Sequence, residues 1–319
     1  MSANVIKKIY LSVVISSKIM LTLLILLLIC SLSYEIRRMA VTKETTKMLK
    51  QIAPWSVMEY EDNIFKSWTM QDVRHILSMR RSSKGSKKVS SASSSLPSSY
   101  DPRLKDDCIN PIMEQGVCGG SWAIAVAKSL GDRFCKQRRS EAANLAPQIL
   151  LSCDTHNYAC HGGYLMHGWE YAQLHGLTPE LCVPYSSFYG EVETCPEACK
   201  RGGSFTVFRC KEKSIRELSY DIDAMKKEIV EQGSVSLSII VYLDFLYYAG
   251  GIYQHVYGEN VGRQAVRAVG FGTENGTPYW ICANSWGGLW GERGWFKIAF
   301  HEADAEDDVW TCTAELKNS

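Results

Sequence analysis

The chain has 319 residues, with 35 Lys and Arg against 34 Asp and Glu and 46% hydrophobic residues. A net charge of +1 gives no electrostatic case for nucleic acid as a partner, and this composition excludes a wholly disordered chain and a multi-pass membrane protein. Twelve cysteines are too few for a disulfide knot and many for a cytosolic protein, so disulfides in an oxidising compartment are expected. Residues 1–33 carry Lys7, Lys8 and Lys18 and an apolar run at 19–30, with no acidic residue before Glu35. That run is short of the roughly 20 residues that span a bilayer and fits the core of a signal peptide. Ser31-Leu32-Ser33 offers small residues for cleavage. The segment therefore reads as a signal peptide or, uncleaved, as a signal anchor, the one route by which this protein would touch a membrane.

Residues 34–95 divide into a propeptide-like helical part and a linker. Ile64, Phe65, Trp68, Val73, Ile76 and Leu77 recur at helical spacing, which predicts one or two amphipathic helices within 40–80. Residues 82–99 are dominated by serine, with Lys84, Lys87 and Lys88, and cannot bury enough apolar surface to order themselves. Arg80-Arg81, just before them, is a dibasic pair of the kind cut by processing peptidases.

Residues 96–319 have the composition of a folded domain with a sizeable core. Gln115-Gly-Val-Cys-Gly-Gly-Ser-Trp122 leads into a helical stretch at 122–135, with Trp122, Val126 and Leu130 on one buried stripe. The glycine-rich turn delivers Ser121 to a helix N-terminus, where backbone N–H groups and the helix dipole favour an anion. Further on, 234–240, 266–273 and 279–283 read as strands.

The segment around Ser121 resembles the nucleophile segment of papain-like cysteine peptidases. The cathepsin B-like branch is indicated by Cys160-His-Gly-Gly163, Gly251-Ile-Tyr-Gln-His-Val256, Asn284-Ser-Trp-Gly287 and Trp290-Gly-Glu-Arg-Gly-Trp-Phe-Lys297. Residues 54–77 are similar to the short propeptide of that branch. The resemblance implies an α+β, papain-like two-lobe fold, with a helical left lobe, a β-barrel-like right lobe and a cleft between them. It places Gln115 at the oxyanion position, Asn284 at the position that orients the catalytic imidazole, and Gly119, Gly120, Trp122, Gly162, Gly163 and Trp286 along the substrate cleft.

Two positions depart from the pattern. Where the family carries its nucleophilic Cys stands Ser121, with Trp122 fixing the register. Where it carries His stands Gln264, in Gly262-Arg-Gln-Ala-Val-Arg267. A serine hydroxyl can still attack if a base takes its proton, but an amide has no titrating group near neutral pH and cannot serve as that base. His255 belongs to a stretch that active relatives carry beside their catalytic His, and none of the other histidines has a sequence reason to face Ser121. The Cys-to-Ser exchange also resembles the tubulointerstitial nephritis antigen family, extracellular cathepsin B-like proteins without protease activity.

The resemblance further implies the disulfides Cys108–Cys135, Cys118–Cys160, Cys153–Cys195 and Cys182–Cys199. It leaves Cys210, Cys282 and Cys312, from which either one more pair forms beside a free thiol or an intermolecular bond arises; a buried thiol fits Cys282, in an apolar strand. Cys153-Asp-Thr-His156 and Cys160-His161 have a superficial zinc spacing, but bridged cysteines are expected there. Neither a metal nor a cofactor is expected. The long occluding loop of the branch and its two histidines are missing, so the groove is expected to be open at that end. Asn275-Gly-Thr277 is an N-glycosylation sequon in a turn. These features together predict an exported pseudoprotease, extracellular or in a lysosome- or vacuole-like compartment, that binds a peptide, a protease inhibitor or an active protease partner. The alternatives are a structural or matrix-like secreted protein and a weak serine-dependent hydrolase with Ser121 as nucleophile.

Overall fold

The computed structural model describes residues 20–26, 38–82, 96–104, 108–137 and 144–315. The proposed cleavage site at 31–33 and the serine-rich 83–95 lie outside the described residues. Residues 20–26 are helical, and among the described residues no helix is long and apolar enough to cross a membrane.

Between 38 and 82 the chain forms α1 (Lys43–Ile52), the short β1 (Ser56–Val57) and α2 (Met70–Ile76). Thr42 caps α1 through Thr45 N–H, and Thr69 with Asp72 forms a reciprocal capping box on α2. The helical spacing of Ile64, Phe65 and Trp68 is misleading, because these three residues lie in turns between the helices. Tertiary packing decides their conformation: Phe65 stands edge-on to Trp286 at 5.1 Å and to Trp68 at 5.4 Å.

The left lobe is built on α3 (Ser121–Lys136), α4 (Pro147–Cys153) and α5 (Leu165–Leu174). From Ser121 to Cys135 every residue of α3 is buried, so the helix runs through the interior and the apolar stripe read from sequence is part of a wholly enclosed surface. The right lobe is a seven-stranded sheet ordered β2-β9-β3-β6-β7-β8-β5, where β2 is Arg216–Glu217, β3 Val235–Tyr242, β5 Ile252–Tyr253, β6 Asn260–Glu274, β7 Thr277–Ala283, β8 Trp295–Ala299 and β9 Val309–Thr311. All pairings are antiparallel except β5 with β8. The lobe is not a closed barrel: among the described residues the sheet is open, with β2 and β5 as its edges. A separate two-stranded pairing joins β1 to β4 (Tyr248–Gly250) and fastens the N-terminal segment to this lobe.

Two apolar cores result. One, under the sheet, takes in Leu49, Trp55, Phe65, Val73, Ile76 and Leu77 from the N-terminal segment beside Phe245, Trp280 and Trp290. The segment is thus an integral layer of the fold. The other joins α3, α4 and α5 around Trp122, Leu150 and Trp169. Among the described residues there are five disulfides: Cys108–Cys135, Cys118–Cys160, Cys153–Cys195, Cys182–Cys199 and Cys210–Cys312. Cys282 is free and fully buried in β7, where burial holds its thiol far above the ordinary range and keeps it un-ionised. Asn275 and Gly276, with φ of 50° and 80°, make the two-residue hairpin between Glu274 and Thr277, and both are exposed.

Residues 302–308 form an acidic loop before β9. Within it Glu306 is 4% exposed and accepts from Trp280 Nε1 at 2.7 Å and from the His301 N–H at 3.1 Å. Burial raises its carboxyl above the ordinary 4.5, outweighing those hydrogen bonds. Glu302 and Asp308 shift the same way for the same reason. A raised folded-state value means that the folded protein holds the proton more tightly than the unfolded chain. The stability these groups contribute is therefore full at low pH and lost as pH rises through their raised values. Glu306→Gln, which keeps an acceptor for Trp280, is expected to flatten the fall in stability above about pH 4.5, as measured by urea unfolding between pH 4 and 8.

Candidate active-site cleft

Ser121 opens α3 behind Gly120 and is fully buried. Its hydroxyl accepts from the Ala265 N–H at 3.2 Å, across the lobe boundary. Gln264 lies on β6, opposite Ile239 of β3, and is also fully buried. Asn284 directly follows β7, whose last residue, Ala283, pairs with Arg267 of β6. Neighbouring strands therefore bring Gln264 and Asn284 together, and the lobe contact adds Ser121 and Gln115.

One amide organises the site. Gln264 Nε2 points at Gln115 Oε1 (2.8 Å), Asn284 Oδ1 (2.9 Å) and Ser285 Oγ (3.1 Å). Ser285 donates its hydroxyl proton to Gln115 Oε1 at 2.6 Å. Ser285 stands in the Asn-Ser-Trp motif but carries no role in the sequence reading; only the tertiary structure shows it joining Gln115 to Gln264. Gln115 Nε2, the donor at the oxyanion position, is spent on Cys118 O at 2.8 Å and reaches Ile76 O at 3.4 Å. Gln264 Oε1 and Asn284 Nδ2 are buried without hydrogen-bond partners. Such orphaned groups cost on the order of 1–3 kcal/mol each, so the amide fits this pocket imperfectly.

None of the chain's seven histidines hydrogen-bonds Ser121. His75 and His161 meet edge-on at 5.8 Å, His156 and His167 at 5.9 Å, His175 lies against Tyr171, and His301 uses its backbone N–H. His255 stacks on Tyr242 at 3.7 Å and faces Asp244 at 3.1 Å. Cys153 and Cys160, which gave the zinc-like spacing, are both in disulfides, and among the described residues no group of three or more metal-ligating side chains comes together.

The groove, expected to be open at the end where the branch carries its occluding loop, is filled along its centre by the chain's own residues 76–81. The Arg80 N–H donates to Gly163 O at 2.9 Å and the Arg263 N–H donates to Leu77 O at 3.1 Å, one bond to each wall. Gly162, at φ +96°, has to be glycine: a Cβ there would stand 1.9 Å from Ser78 O, and one on Gly119 would stand 2.2 Å from Ser78 Oγ. Trp122 fixes the same wall by donating to Ala159 O at 3.1 Å and packing behind Gly163. Trp286 packs against Phe65 and thus also receives the N-terminal segment. Outside the cleft proper, a surface groove of about 700 Å³ runs along α2 of the N-terminal segment, lined by Trp68, Gln71 and His75 with Val117 from the body.

The lobes are bolted below the cleft. Arg267 on β6 holds both carboxylate oxygens of Asp132 on α3 at 2.8 Å, with both side chains no more than 3% exposed. Asp132 also accepts from Asn110 and Ser234.

The profile of the papain family cysteine proteases matches residues 96–313. Cathepsin B-like CP2 of Giardia intestinalis is 38% identical over 207 residues, which cover 64% of this chain and 69% of that protein. Cathepsin B-like cysteine proteinase 4 of Caenorhabditis elegans is 33% identical over 236 residues, 64% of this chain and 70% of its own. The structure of proCathepsin B S9 from Trypanosoma congolense superposes with a TM-score of 0.77 at 25% identity, covering 87% of this chain and 99% of that one.

Proposed function

Because the chain belongs to the papain family of cysteine proteases, on its cathepsin B-like branch, we propose that it is a proteolytically inactive member of that family, exported from the cytosol, that works by holding extended polypeptide in its cleft. The observation that carries the inactivity is the side chain at 264. The amide of Gln264 is committed to Gln115, Asn284 and Ser285, and it can neither take a proton from Ser121 nor return one to a leaving amine. A helix N-terminus is worth up to about 2 kcal/mol to a nearby anion, far too little to ionise a serine hydroxyl at neutral pH when each pKa unit takes about 1.4 kcal/mol.

The binding half of the proposal is supported by the main-chain bonds from Gly163 and Arg263 to residues 76–81, a strand-like mode of capture that reads any extended chain. Export is supported by the five disulfides. In the single chain the occupant is the chain's own segment; a peptide, an inhibitor or a protease partner that displaces it would enter by the same bonds.

The test is to nick the protein in its serine-rich connection and separate the 38–82 fragment from the 96–319 body under mild conditions. Titrating the fragment back is expected to show saturable one-to-one binding, with the fragment recovered uncut after prolonged incubation. A body that takes up neither the fragment nor any other extended peptide would contradict the binding role, and a cut fragment would contradict the inactivity.

A further inference from the structure

The segment in the cleft shows what the cleft selects. Leu77 is buried in the right-lobe core and Met79 in the left-lobe core, while Ser78 between them packs so closely on Gly119 and Gly162 that a Cβ on either glycine would stand within 2.2 Å of it. The two residues that follow are both arginines, and each meets a built partner. The Arg80 guanidinium lies over the Tyr158 ring, 4.1 Å from its centroid. Arg81 donates to the Tyr220 hydroxyl and pairs with the Asp307 carboxylate at 3.3 Å on the other wall.

The acidic loop at 302–308 is otherwise matched from within the body. Asp304 pairs with Arg263, Glu306 with Trp280 and His301, Asp308 with Trp310 and Ser238, and Glu302 with the Ala303 N–H. Asp307 is the carboxylate that meets a cation of the segment. Tyr220 is held ready beside it with φ +63°, a conformation L residues rarely adopt, by its N–H donating to Glu306 O at 2.7 Å.

We infer that Tyr158 on one wall and Asp307 with Tyr220 on the other form a two-arginine recognition site. The cleft is then a receptor for extended polypeptide of the pattern apolar–small–apolar–Arg–Arg, occupied in the single chain by Arg80-Arg81. The inference rests on the reading of the cleft as a polypeptide-binding site and adds its ligand class. It also reassigns the dibasic pair. In the closed molecule these arginines are latch residues whose side chains, and for Arg80 the backbone N–H, are engaged on the body, and a peptidase that needs the bond in its own active site meets them only after release.

The experiment uses the full exported chain carrying Arg80→Ala and Arg81→Ala, with two fluorescein-labelled peptides: one with the sequence of residues 75–82 and one with both arginines replaced by alanine. Loss of the latch is expected to speed cleavage of residues 38–82 by an added endopeptidase at least about fivefold. The dibasic peptide is expected to bind the variant at least about tenfold more tightly than it binds the wild type, and at least about tenfold more tightly than the alanine peptide binds the variant. Asp307→Asn in the same background is expected to remove most of that preference. Equal binding of the two peptides would overturn the two-arginine site while leaving the cleft a polypeptide receptor. A segment that has become cleavable while neither peptide binds would overturn both. Should the double variant fail to fold, Asp307→Asn in the otherwise wild-type chain is the alternative: faster cleavage of residues 38–82 is expected, and unchanged protection would overturn the inference.

Discussion

The chain carrying Ser121→Cys and Gln264→His together, nicked in its serine-rich connection and then separated from residues 38–82 to free the cleft, is expected to hydrolyse fluorogenic peptide amides at least about 10³-fold faster than the wild type treated in the same way. General acid–base transfer alone supplies roughly 10²–10⁴-fold, and a thiol at a helix N-terminus beside an imidazole adds a nucleophile that ionises in the working range. The geometry favours recovery. Asn284 Oδ1 already stands 2.9 Å from the donor atom of residue 264, where it would accept the N–H of an imidazole. Gln115 is held by Ser285 independently of residue 264. Replacing the amide also removes the orphaned Gln264 Oε1, so the exchange is not expected to lower stability. Each single variant should stay close to the wild type, because nucleophile and base act as a unit and their effects are far from additive. A silent double variant that retains the wild-type fold would show that the cleft has lost more than two side chains.

Asp132→Ala is expected to be the most damaging single substitution for stability. It leaves the Arg267 guanidinium, 3% exposed, without its counter-charge and with only the Asn110 carbonyl, at 2.7 Å, to accept from it. Breaking one side of such a buried pair costs about 3–5 kcal/mol, which in a chain of this size lowers the melting temperature by roughly 6–20 °C. The double variant Asp132→Leu/Arg267→Met removes both charges and should recover the part of the loss that comes from the uncompensated guanidinium, while the part that comes from Asn110 and Ser234 losing Asp132 as acceptor stays. Thermal unfolding of the two variants beside the wild type checks both statements; a Tm for Asp132→Ala within about 2 °C of the wild type would show that the bolt beneath the cleft is not what holds the lobes.

Much of this was legible in the sequence because the informative residues are local. Trp122 fixes the register of the turn before α3, so the identity of residue 121 follows from its neighbours alone. The strands beside 264 and 284 are legible as the stretches 266–273 and 279–283, although β6 begins six residues earlier, at Asn260, and so takes in Gln264. What stayed hidden depends on contacts across long separations. Ile64, Phe65 and Trp68 mimic a helix because their spacing is set by what they pack against, and Trp286, more than two hundred residues away, takes Phe65 instead. Closure of a sheet cannot be read from strand patterns, and here it stays open between β2 and β5. The link between Asp132 and Arg267, like the role of Ser285, joins residues whose immediate neighbours give no sign of a partner. The same holds for the contents of the cleft. The missing occluding loop bears on one end of the groove only, while the residues that fill its centre, 76–81, look in sequence like the end of a helix and a processing site. Only Gly119, Gly162 and Gly163, glycines on the facing wall, hint that a backbone comes close.

The measurement that bears most directly on the central claim is turnover by the wild-type protein, nicked and intact, on peptide and ester substrates, with Ser121→Ala run in parallel. Loss of chemistry at positions 121 and 264 predicts the same background rate for all preparations and no covalent labelling of Ser121 by a fluorophosphonate. Wild-type turnover that disappears in Ser121→Ala would contradict it, and would mean that a base other than residue 264 serves this serine.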